Sequence, residues 1–279
     1  MLLFKKTAAL QAYLQQIKTS HQQIGFVPTM GALHKGHLAL LKTAIQDSDI
    51  TICSIFVNPT QFNEPSDLEA YPRTPGKDIE QLEKVGCDIL FMPTVEEVYP
   101  PETKTQVSIN FQGLDEVMEG KFRPGHFQGV AQVVKRLLDL TKADKLFMGQ
   151  KDYQQTCIIG HMLDTLALPT QLIVCPTLRE TDGLALSSRN VRLSPNGRAI
   201  APQLYQCLKT VKEHLATHPI EEAVQAGKEI LAAHPIELEY LEVAHPKTLQ
   251  AIQDREQQAV ICLAAWIDGV RLIDNVLLD

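Results

Sequence analysis

Residues 24–45 read IGFVPTMGALHKGHLALLKTAI, and this stretch decides the fold. Its first four residues are apolar and predict a short buried strand that ends at Pro28. Apolar residues from Leu38 to Ile45 then recur at helical spacing, so a helix follows the strand. A strand joined to a helix by a loop with two glycines and two histidines is typical of the ligand-binding edge of a parallel α/β sheet.

Short apolar runs and helical patterns continue to alternate as far as about residue 176. Further strands are predicted at 51–57, 88–92, 145–148 and 171–175, and helices at 78–85 and 153–166. Between residues 130 and 138 the apolar side chains fall on one helical face. Strands that alternate with helices imply right-handed crossovers and a mostly parallel sheet.

The sequence pattern changes after Pro176. The polar, glycine-containing segment 177–190 is predicted as a loop between two halves of the chain. One long helical stretch opens at Ser194-Pro195 and runs to about residue 217, and a second helix follows Pro219. Asp268-Gly269 separates two apolar runs, which predicts a β-hairpin. We therefore predict an α/β domain over 1–176 and a smaller domain of helices and antiparallel sheet over 177–279.

Composition excludes several classes of protein. The 279 residues include 26 Lys plus Arg against 33 Asp plus Glu, a formal net charge of −7 without a long basic run, so we expect no nucleic-acid or membrane partner. We also expect no membrane span and no signal peptide, because no apolar run is long enough. The six cysteines lack C-x-x-C spacing, which favours free thiols in a reducing cytoplasm.

His34 and His37 are the sharpest chemical feature of the chain. Three residues apart at the start of a helix, they can share one face beside the free backbone N–H groups, which makes an anion site suited to phosphates. Gly31 and Gly36 let the backbone approach a ligand closely. Two surface or capping histidines are the alternative, which H-x-G-H at this junction disfavours. A zinc site is a weaker prediction because no third ligand has suitable spacing.

The H-x-G-H motif is that of the nucleotidyltransferase superfamily, and the chain resembles the pantothenate synthetase (pantoate–β-alanine ligase) family. The resemblance rests on six blocks in the same order, at 28–37, 56–62, 71–74, 123–127, 149–155 and 182–190. One block alone would be a weak signal, whereas six in order are specific. The stretch 63–67 is predicted as a variable loop without an assigned role.

The resemblance implies a Rossmann-like domain that binds ATP and pantoate, a smaller C-terminal lid domain, and a homodimer. It also implies the reaction. ATP and (R)-pantoate give pantoyl adenylate and pyrophosphate, and β-alanine then displaces AMP to form pantothenate, with Mg²⁺ as the metal ion. A carboxylate is already ionised at neutral pH, so positioning and cationic stabilisation should dominate the first step.

The resemblance also assigns roles to individual residues. The catalytic residues it implies are His34, His37, Lys151, Ser187, Ser188 and Arg189. The implied contacts to ATP are Met30, Gly31, Ala32, Leu33, His34, Lys35, Gly36, His37, Gly149, Gln150, Lys151, Asp152, Leu178, Leu186, Ser187, Ser188 and Arg189. The implied contacts to pantoate and β-alanine are Asn58, Gln61, Val133, Val134 and Gln155. Asp78 is placed on the metal side.

Plainer structural roles stay open for these residues. Lys151 and Asp152 are adjacent and could form a surface ion pair, and Arg189 could be a solvated cation in a loop. Val133 and Val134 are ordinary core residues on pattern alone. The glycine-punctuated segment 120–126 is either a flap over the phosphates or a surface loop.

Two other functions also stay open. The H-x-G-H motif suits a nucleotidylyltransferase that acts on a phosphorylated acceptor, against which stand Gln61, Gln155 and the segment 187–189. A non-catalytic nucleotide-binding module is disfavoured because Lys151, Arg189 and both histidines of the motif are present together.

Overall fold

The protein is described by a computed structural model over residues 1–18, 22–62, 68–69, 71–102, 105–252 and 258–278. Two sheets organise these residues, a six-stranded parallel sheet and a three-stranded antiparallel sheet. The predicted fold class, a Rossmann-like parallel sheet with a smaller α+β part, is confirmed. The predicted variable loop at 63–67 lies outside the described residues.

The parallel sheet has the strand order β1-β4-β3-β2-β5-β6. Its strands are β1 (Leu2–Phe4), β2 (Ile24–Thr29), β3 (Ile50–Ile55), β4 (Ile89–Phe91), β5 (Lys145–Gly149) and β6 (Gln171–Cys175). The prediction that β2 ends at Pro28 is wrong. The ladder to β5 stops at the pair Phe26 and Leu146, so the missing N–H of Pro28 leaves that ladder intact. The short edge strand β1 was not predicted.

Seven helices accompany this sheet in the described part of the chain. They are α1 (Thr7–Lys18), α2 (Lys35–Asp47), α3 (Pro75–Val85), α4 (Val95–Val98), α5 (Met118–Phe122), α6 (His126–Thr141) and α7 (Tyr153–Thr165). The predicted apolar face of α6 is buried from Val130 to Leu138. Strand β2 pairs with β3 on one side and β5 on the other, so a crevice opens beyond the carboxyl ends of β2 and β5.

The C-terminal part contains α8 (Pro195–Ile200), α9 (Gln203–Leu215), α10 (Ile220–Ala232), β7 (Glu237–Ala244), β8 (Ala259–Ile267) and β9 (Val270–Leu278). The predicted hairpin at Asp268-Gly269 is confirmed between β8 and β9, and both turn residues have positive φ angles. The prediction of one long helix from residue 194 is wrong, because Pro202 separates α8 from α9 and cannot donate a helical hydrogen bond.

Strand β8 joins the two parts of the molecule, because it is apolar on both faces. Its side chains alternate between two cores, with Val260, Cys262 and Ala264 facing the core of the parallel sheet and Ile261, Leu263 and Ala265 facing that of α9 and α10. The period of two along a strand explains this division. In the described part of the chain, no helix is both long and apolar enough to cross a membrane.

Candidate active site

A cavity of about 270 Å³ lies at the crevice beyond β2 and β5. Residues of β7, β8 and β9 close it from the C-terminal side. The predicted site residues that line it are Met30, His34, Gly36, His37, Asn58, Gln61, Val133, Val134, Gly149, Lys151, Asp152, Gln155, Leu178, Leu186, Ser187, Ser188 and Arg189. The fold thus brings together residues from blocks that are far apart in sequence.

Other predicted site residues do not line the cavity. They are Gly31, Ala32, Leu33, Lys35, Gln150 and Asp78. The buried carboxylate of Asp78 accepts hydrogen bonds from the backbone N–H groups of Ala32, at 3.0 Å, and Leu33, at 2.8 Å, and from the Thr74 hydroxyl at 3.1 Å. Asp78 therefore positions the loop before α2, and its place on the metal side stays a prediction.

His34 and His37 form a reciprocal cap at the start of α2. Nδ1 of His34 accepts the N–H of Gly36 at 3.1 Å, and Nδ1 of His37 accepts the N–H of His34 at 3.4 Å. The two ring centroids are 4.0 Å apart. A Cβ atom at Gly36 would lie 2.9 Å from the His34 ring, which explains the glycine between the two histidines.

Both rings of this cap are neutral at pH 7. Burial and the charge of Lys151 lower the pKa of His34 to about 4. Burial and the neighbouring His34 lower the pKa of His37 to about 3. Because Nδ1 of each neutral ring accepts a hydrogen bond, the ring proton resides on Nε2. The cap therefore offers two Nε2–H donors beside a helix N-terminus, an arrangement suited to phosphate oxygens.

Two cations share the cavity with this cap. Lys151 Nζ lies 3.4 Å from Asp152 Oδ1, and the side chains are 18% and 48% exposed, so the pair lies at the edge of the cavity with the lysine turned inward. Burial opposes the charge of Asp152, but Lys151 and Arg189 lower its pKa below the usual value. Ser187 Oγ accepts the N–H of Arg189 at 3.2 Å and caps the turn Ser188–Arg192. This end of the cavity therefore has both fixed donors and positive charge.

The turn Pro59–Gln61 forms another part of the wall. Asn58 is 1% exposed, and its amide donates to the Gly129 carbonyl at 3.2 Å and accepts from the Tyr99 hydroxyl at 3.0 Å. A Cβ at Gly129 would lie 2.3 Å from the Thr60 carbonyl oxygen, so the glycine allows α6 to approach this turn. Asn58 thereby fixes the turn from which Gln61 reaches the cavity.

Gln154 and Gln155 are neighbours with different surroundings. The amide of Gln154 is engaged by the backbone of Leu114 at 2.7 Å, Val117 at 2.9 Å and Glu119 at 3.0 Å. Gln155 lines the cavity, and its amide has no hydrogen-bond partner among the described residues. With the apolar wall of α6 opposite, Gln155 and Gln61 suit a ligand that has polar groups and methyl groups together.

Several cavity residues were missed by the sequence analysis, namely Glu119, His126, Tyr240, Asp274 and Asn275. Asn275 donates to the backbone carbonyls of Lys151 at 2.8 Å and Gln150 at 3.0 Å, which docks β9 against the cationic end. Asp274 forms a two-point ion pair with Arg179. Asp274 and Asn275 could have been predicted from the sequence, because they are two adjacent polar residues inside the apolar run of β9.

A Rossmann-like sheet whose β2-to-α2 junction holds the H-x-G-H cap, with a lysine and an arginine nearby, defines a nucleotide-binding enzyme of the nucleotidyltransferase type. Comparison with known proteins narrows this class. The family model for pantoate–β-alanine ligase matches residues 2–277, and the chain belongs to that family. The predicted resemblance is confirmed.

Curated relatives and solved structures agree with this family. The chain is 45% identical to pantothenate synthetase of Porphyromonas gingivalis, over 99% of both chains, and 44% identical to that of Christiangramia forsetii, over the whole of both. It is similar to the crystal structure of pantothenate synthetase from Thermus thermophilus, with a TM-score of 0.93, 42% identity and 99% coverage of both chains. The Francisella tularensis ligase, complexed with β-γ ATP and β-alanine, has a TM-score of 0.82 and 36% identity, covering 99% of this chain and 97% of that one.

Proposed function

We propose that the chain condenses (R)-pantoate with β-alanine at the expense of ATP, through a pantoyl adenylate, to give pantothenate, AMP and pyrophosphate. One observation supports this most strongly. A single cavity holds the donor and cation cluster of His34, His37, Lys151 and Arg189 together with the amides of Gln61 and Gln155. A triphosphate and a small hydroxy acid therefore have matching surfaces within one cavity.

In the first step, the pantoate carboxylate attacks the α-phosphorus of ATP and pyrophosphate leaves. The nucleophile is already ionised, so the cost lies in bringing two anions together and in the charge on pyrophosphate. The Nε2–H groups of His34 and His37 would donate to phosphate oxygens, and Lys151 and Arg189 would neutralise charge. The Ser187 and Ser188 hydroxyls and backbone amides add donors of the same kind.

Gln61 and Gln155 would hold the hydroxyl and carboxylate groups of pantoate, while Val133 and Val134 receive its two methyl groups. Asn58 would act on this subsite mainly by fixing the turn that precedes Gln61. In the second step, the nitrogen of β-alanine attacks the acyl carbon, and the bond from that carbon to AMP breaks. Enclosure by β7, β8 and β9 would keep water from the acyl adenylate.

Mg²⁺ fits this site as a partner of the phosphates. In the described part of the chain, no group of three or more His, Cys, Asp or Glu side chains is arranged to hold a metal ion. Mg²⁺ keeps several waters and binds well to substrate phosphates, where it would supply positive charge toward pyrophosphate. By the family resemblance, Asp152 would face the ribose of ATP. Asp78 would support the metal side through the loop that it holds.

We also propose a homodimer, a cytoplasmic location, and a domain boundary near residue 176. The homodimer and the boundary rest on the family resemblance and on the change of pattern at Pro176. Six free cysteines and the acidic composition are consistent with a reducing compartment.

The test is AMP release measured with pantoate, β-alanine, ATP and Mg²⁺, each omitted in turn. Exchange of labelled pyrophosphate into ATP, driven by pantoate without β-alanine, isolates the first step. Lys151→Ala should abolish most of this exchange, whereas Lys42→Ala, an exposed lysine on α2, is the matched control. Exchange driven only by a phosphorylated acceptor would favour a nucleotidylyltransferase, and ATP binding without turnover would favour a non-catalytic module.

A further inference from the structure

The cavity contains a third histidine that the first step does not use. His126 is the first residue of α6, is 6% exposed and lines the cavity. Its Nδ1 lies 2.8 Å from the backbone carbonyl oxygen of Gln61. A carbonyl oxygen can only accept, so Nδ1 of His126 must be the protonated nitrogen. This is the reverse of His34 and His37, whose Nδ1 atoms accept from backbone N–H groups.

The other nitrogen of His126 is therefore a bare acceptor when the ring is neutral. Burial, and then the charge of Arg123, lower the pKa of His126 to about 4, so the ring is neutral at pH 7. Glu119 and Asp152 are the acidic groups that act on the ring in the opposite direction. Among the described residues Nε2 has no hydrogen-bond partner, and it is not an enclosed atom, so it is accessible from the cavity.

The second step needs such an acceptor. An aliphatic amine has a pKa of about 10, so β-alanine arrives as an ammonium ion, and its nitrogen must lose two protons on the way to an amide. At the other end of the cavity, His34 and His37 present donors, and Lys151 and Arg189 present positive charge. These groups repel an ammonium or cannot accept from it. The carboxylates that line the cavity are paired with cations: Glu119 with Arg271, Asp274 with Arg179 and Asp152 with Lys151. The acceptor beside the turn that holds Gln61 is therefore the neutral ring of His126.

We propose that Nε2 of His126 accepts the proton that the β-alanine nitrogen loses as it bonds to the pantoyl carbon. This inference rests on the proposed function. The N–C bond forms, the bond from that carbon to AMP breaks, and the electron pair leaves with the AMP oxygen. One proton is lost to water from the ammonium before attack, and the second passes to Nε2 and then to water.

A weakly basic imidazole suits this second proton transfer. The nitrogen becomes acidic only once its lone pair is committed to the acyl carbon, so a weak base can accept from the adduct although it cannot deprotonate the free ammonium. The adjacent positive charge of Arg123 then favours return of the proton to water. Nδ1 stays bound to the Gln61 carbonyl throughout, which keeps Nε2 aimed at the same point.

Two substitutions separate this role from a structural one. His126→Asn keeps an amide N–H near the position of Nδ1 for the Gln61 carbonyl, and it leaves nothing at Nε2. His126→Gln places an amide oxygen near the position of Nε2, where it accepts a hydrogen bond but no proton. His161→Asn is the matched control, because His161 also contacts a backbone carbonyl, that of Asn110, and does not line the cavity.

The two half-reactions are measured separately. Pantoate-dependent pyrophosphate exchange without β-alanine should change little in His126→Asn and in the His161→Asn control. Single-turnover transfer from preformed pantoyl adenylate to β-alanine should slow by about 10²–10³-fold in His126→Asn. His126→Gln should restore the KM for β-alanine but not the rate. Azide, an anionic nucleophile that has no proton to lose, should react with the adenylate in His126→Asn at nearly the unmodified rate.

Transfer to β-alanine at the unmodified rate in His126→Asn would overturn the inference. Equal losses in exchange and transfer would also overturn it, because they would mean that His126 only positions Gln61. An equal slowing with azide would exclude proton transfer as the reason. Absence of pantoate-dependent exchange in the unmodified chain would instead refute the proposed function, and with it this inference.

Discussion

The starts of α2 and α6 use the same residue type for opposite purposes. Each helix begins with a buried or half-buried histidine whose Nδ1 contacts the backbone. At α2 the contact is a backbone N–H, which forces the ring proton onto Nε2. At α6 the contact is a backbone carbonyl, which forces it onto Nδ1. The backbone partner, and not the residue type, therefore decides whether the cavity meets a donor or an acceptor.

The residues around the two helix starts also differ in chemical character. The start of α2 faces Lys151 and Arg189, whereas that of α6 is next to Gln61 and the apolar wall of Val133 and Val134. The start of α2 thus offers donors and positive charge, whereas the start of α6 offers a neutral acceptor beside Arg123 and Glu119. The following predictions test this division, beginning with the largest expected effect.

Replacing a histidine donor at the start of α2 should cause the largest loss of activity. In His37→Ala the Nε2–H is lost, and pantoate-dependent pyrophosphate exchange should fall by about 10²–10³-fold, or about 3–4 kcal/mol. The lost cap should lower the free energy of unfolding by only about 1 kcal/mol. His161→Ala, outside the cavity, is the control. Near-normal exchange in His37→Ala would mean that the α2 end is not the phosphate end.

Arg189 tests whether the donor and cation cluster also protects the intermediate. Arg189→Ala should slow adenylation by about 30-fold, the scale of a lost charge-assisted hydrogen bond, and raise the ratio of AMP to pantothenate because water reaches the adenylate. Arg189→Lys should recover part of the rate, since a point charge lacks the guanidinium fork. Arg198→Ala, which breaks an ion pair with Asp182 at 2.6 Å, is the control. If the ratio of AMP to pantothenate stays at one in Arg189→Ala, Arg189 does not protect the intermediate, and phosphate binding is its only remaining role.

Gln154 and Gln155 provide a matched pair of glutamines. Gln155→Leu should weaken pantoate binding by about tenfold with ATP binding and stability unchanged, because a polar group of the substrate loses its partner. Gln154→Leu should instead lower the free energy of unfolding by about 1–3 kcal/mol, because it orphans buried backbone groups. Calorimetric titration and thermal unfolding measure the two effects. A selective loss of ATP binding in Gln155→Leu would contradict its assignment.

The sequence predicts the parts of this molecule that are local along the chain. The strand-to-helix junction at residues 24–45 and the hairpin at Asp268-Gly269 depend on neighbours in sequence, and both are confirmed. The continuation of β2 through Pro28 depends on where the ladder to β5 ends, which no local pattern shows. Pro202 indicated a break between α8 and α9, but the helical periodicity continues on both sides of it and therefore favoured a single helix.

The candidate site divides in the same way. The residues of the six blocks converge on one cavity as the resemblance implies. Five blocks lie at the carboxyl end of a strand or at the start of a helix, and the block 182–190 lies in the segment between β6 and α8. Asn275 and Asp274 reach the cavity only through the packing of β9, so their role depends on contacts more than 90 residues distant. The opposite tautomers of His37 and His126 are set by backbone partners, which the amino-acid sequence does not display.

The smallest expected effect concerns pH. The rings of His34, His37 and His126 should not titrate near neutral pH, and this tests the comparison between the starts of α2 and α6 most directly. The pKa values of His34, His37 and His126 are lowered to about 4, 3 and 4, against 6.5 in an unfolded chain. Between about pH 4 and 6.5 the unfolded chain binds more protons, so these groups make the free energy of unfolding rise with pH over that window and contribute no slope above it. Adenylation at saturating substrate should then be insensitive to these rings between about pH 6.5 and 8.

Nitrogen NMR of the histidine rings measures both the titration and the tautomer. We expect His34 and His37 to carry the proton on Nε2 and His126 to carry it on Nδ1, with none of the three midpoints above about pH 5. His126→Asn and His37→Ala assign the signals by their disappearance. The same tautomer in all three rings would abolish the distinction between the two helix starts. A titration midpoint near pH 6.5 for His126 alone would leave the description of the α2 cap unchanged. It would also mean that His126 is partly protonated at neutral pH, so it could not act as a steady acceptor for a proton from the β-alanine nitrogen.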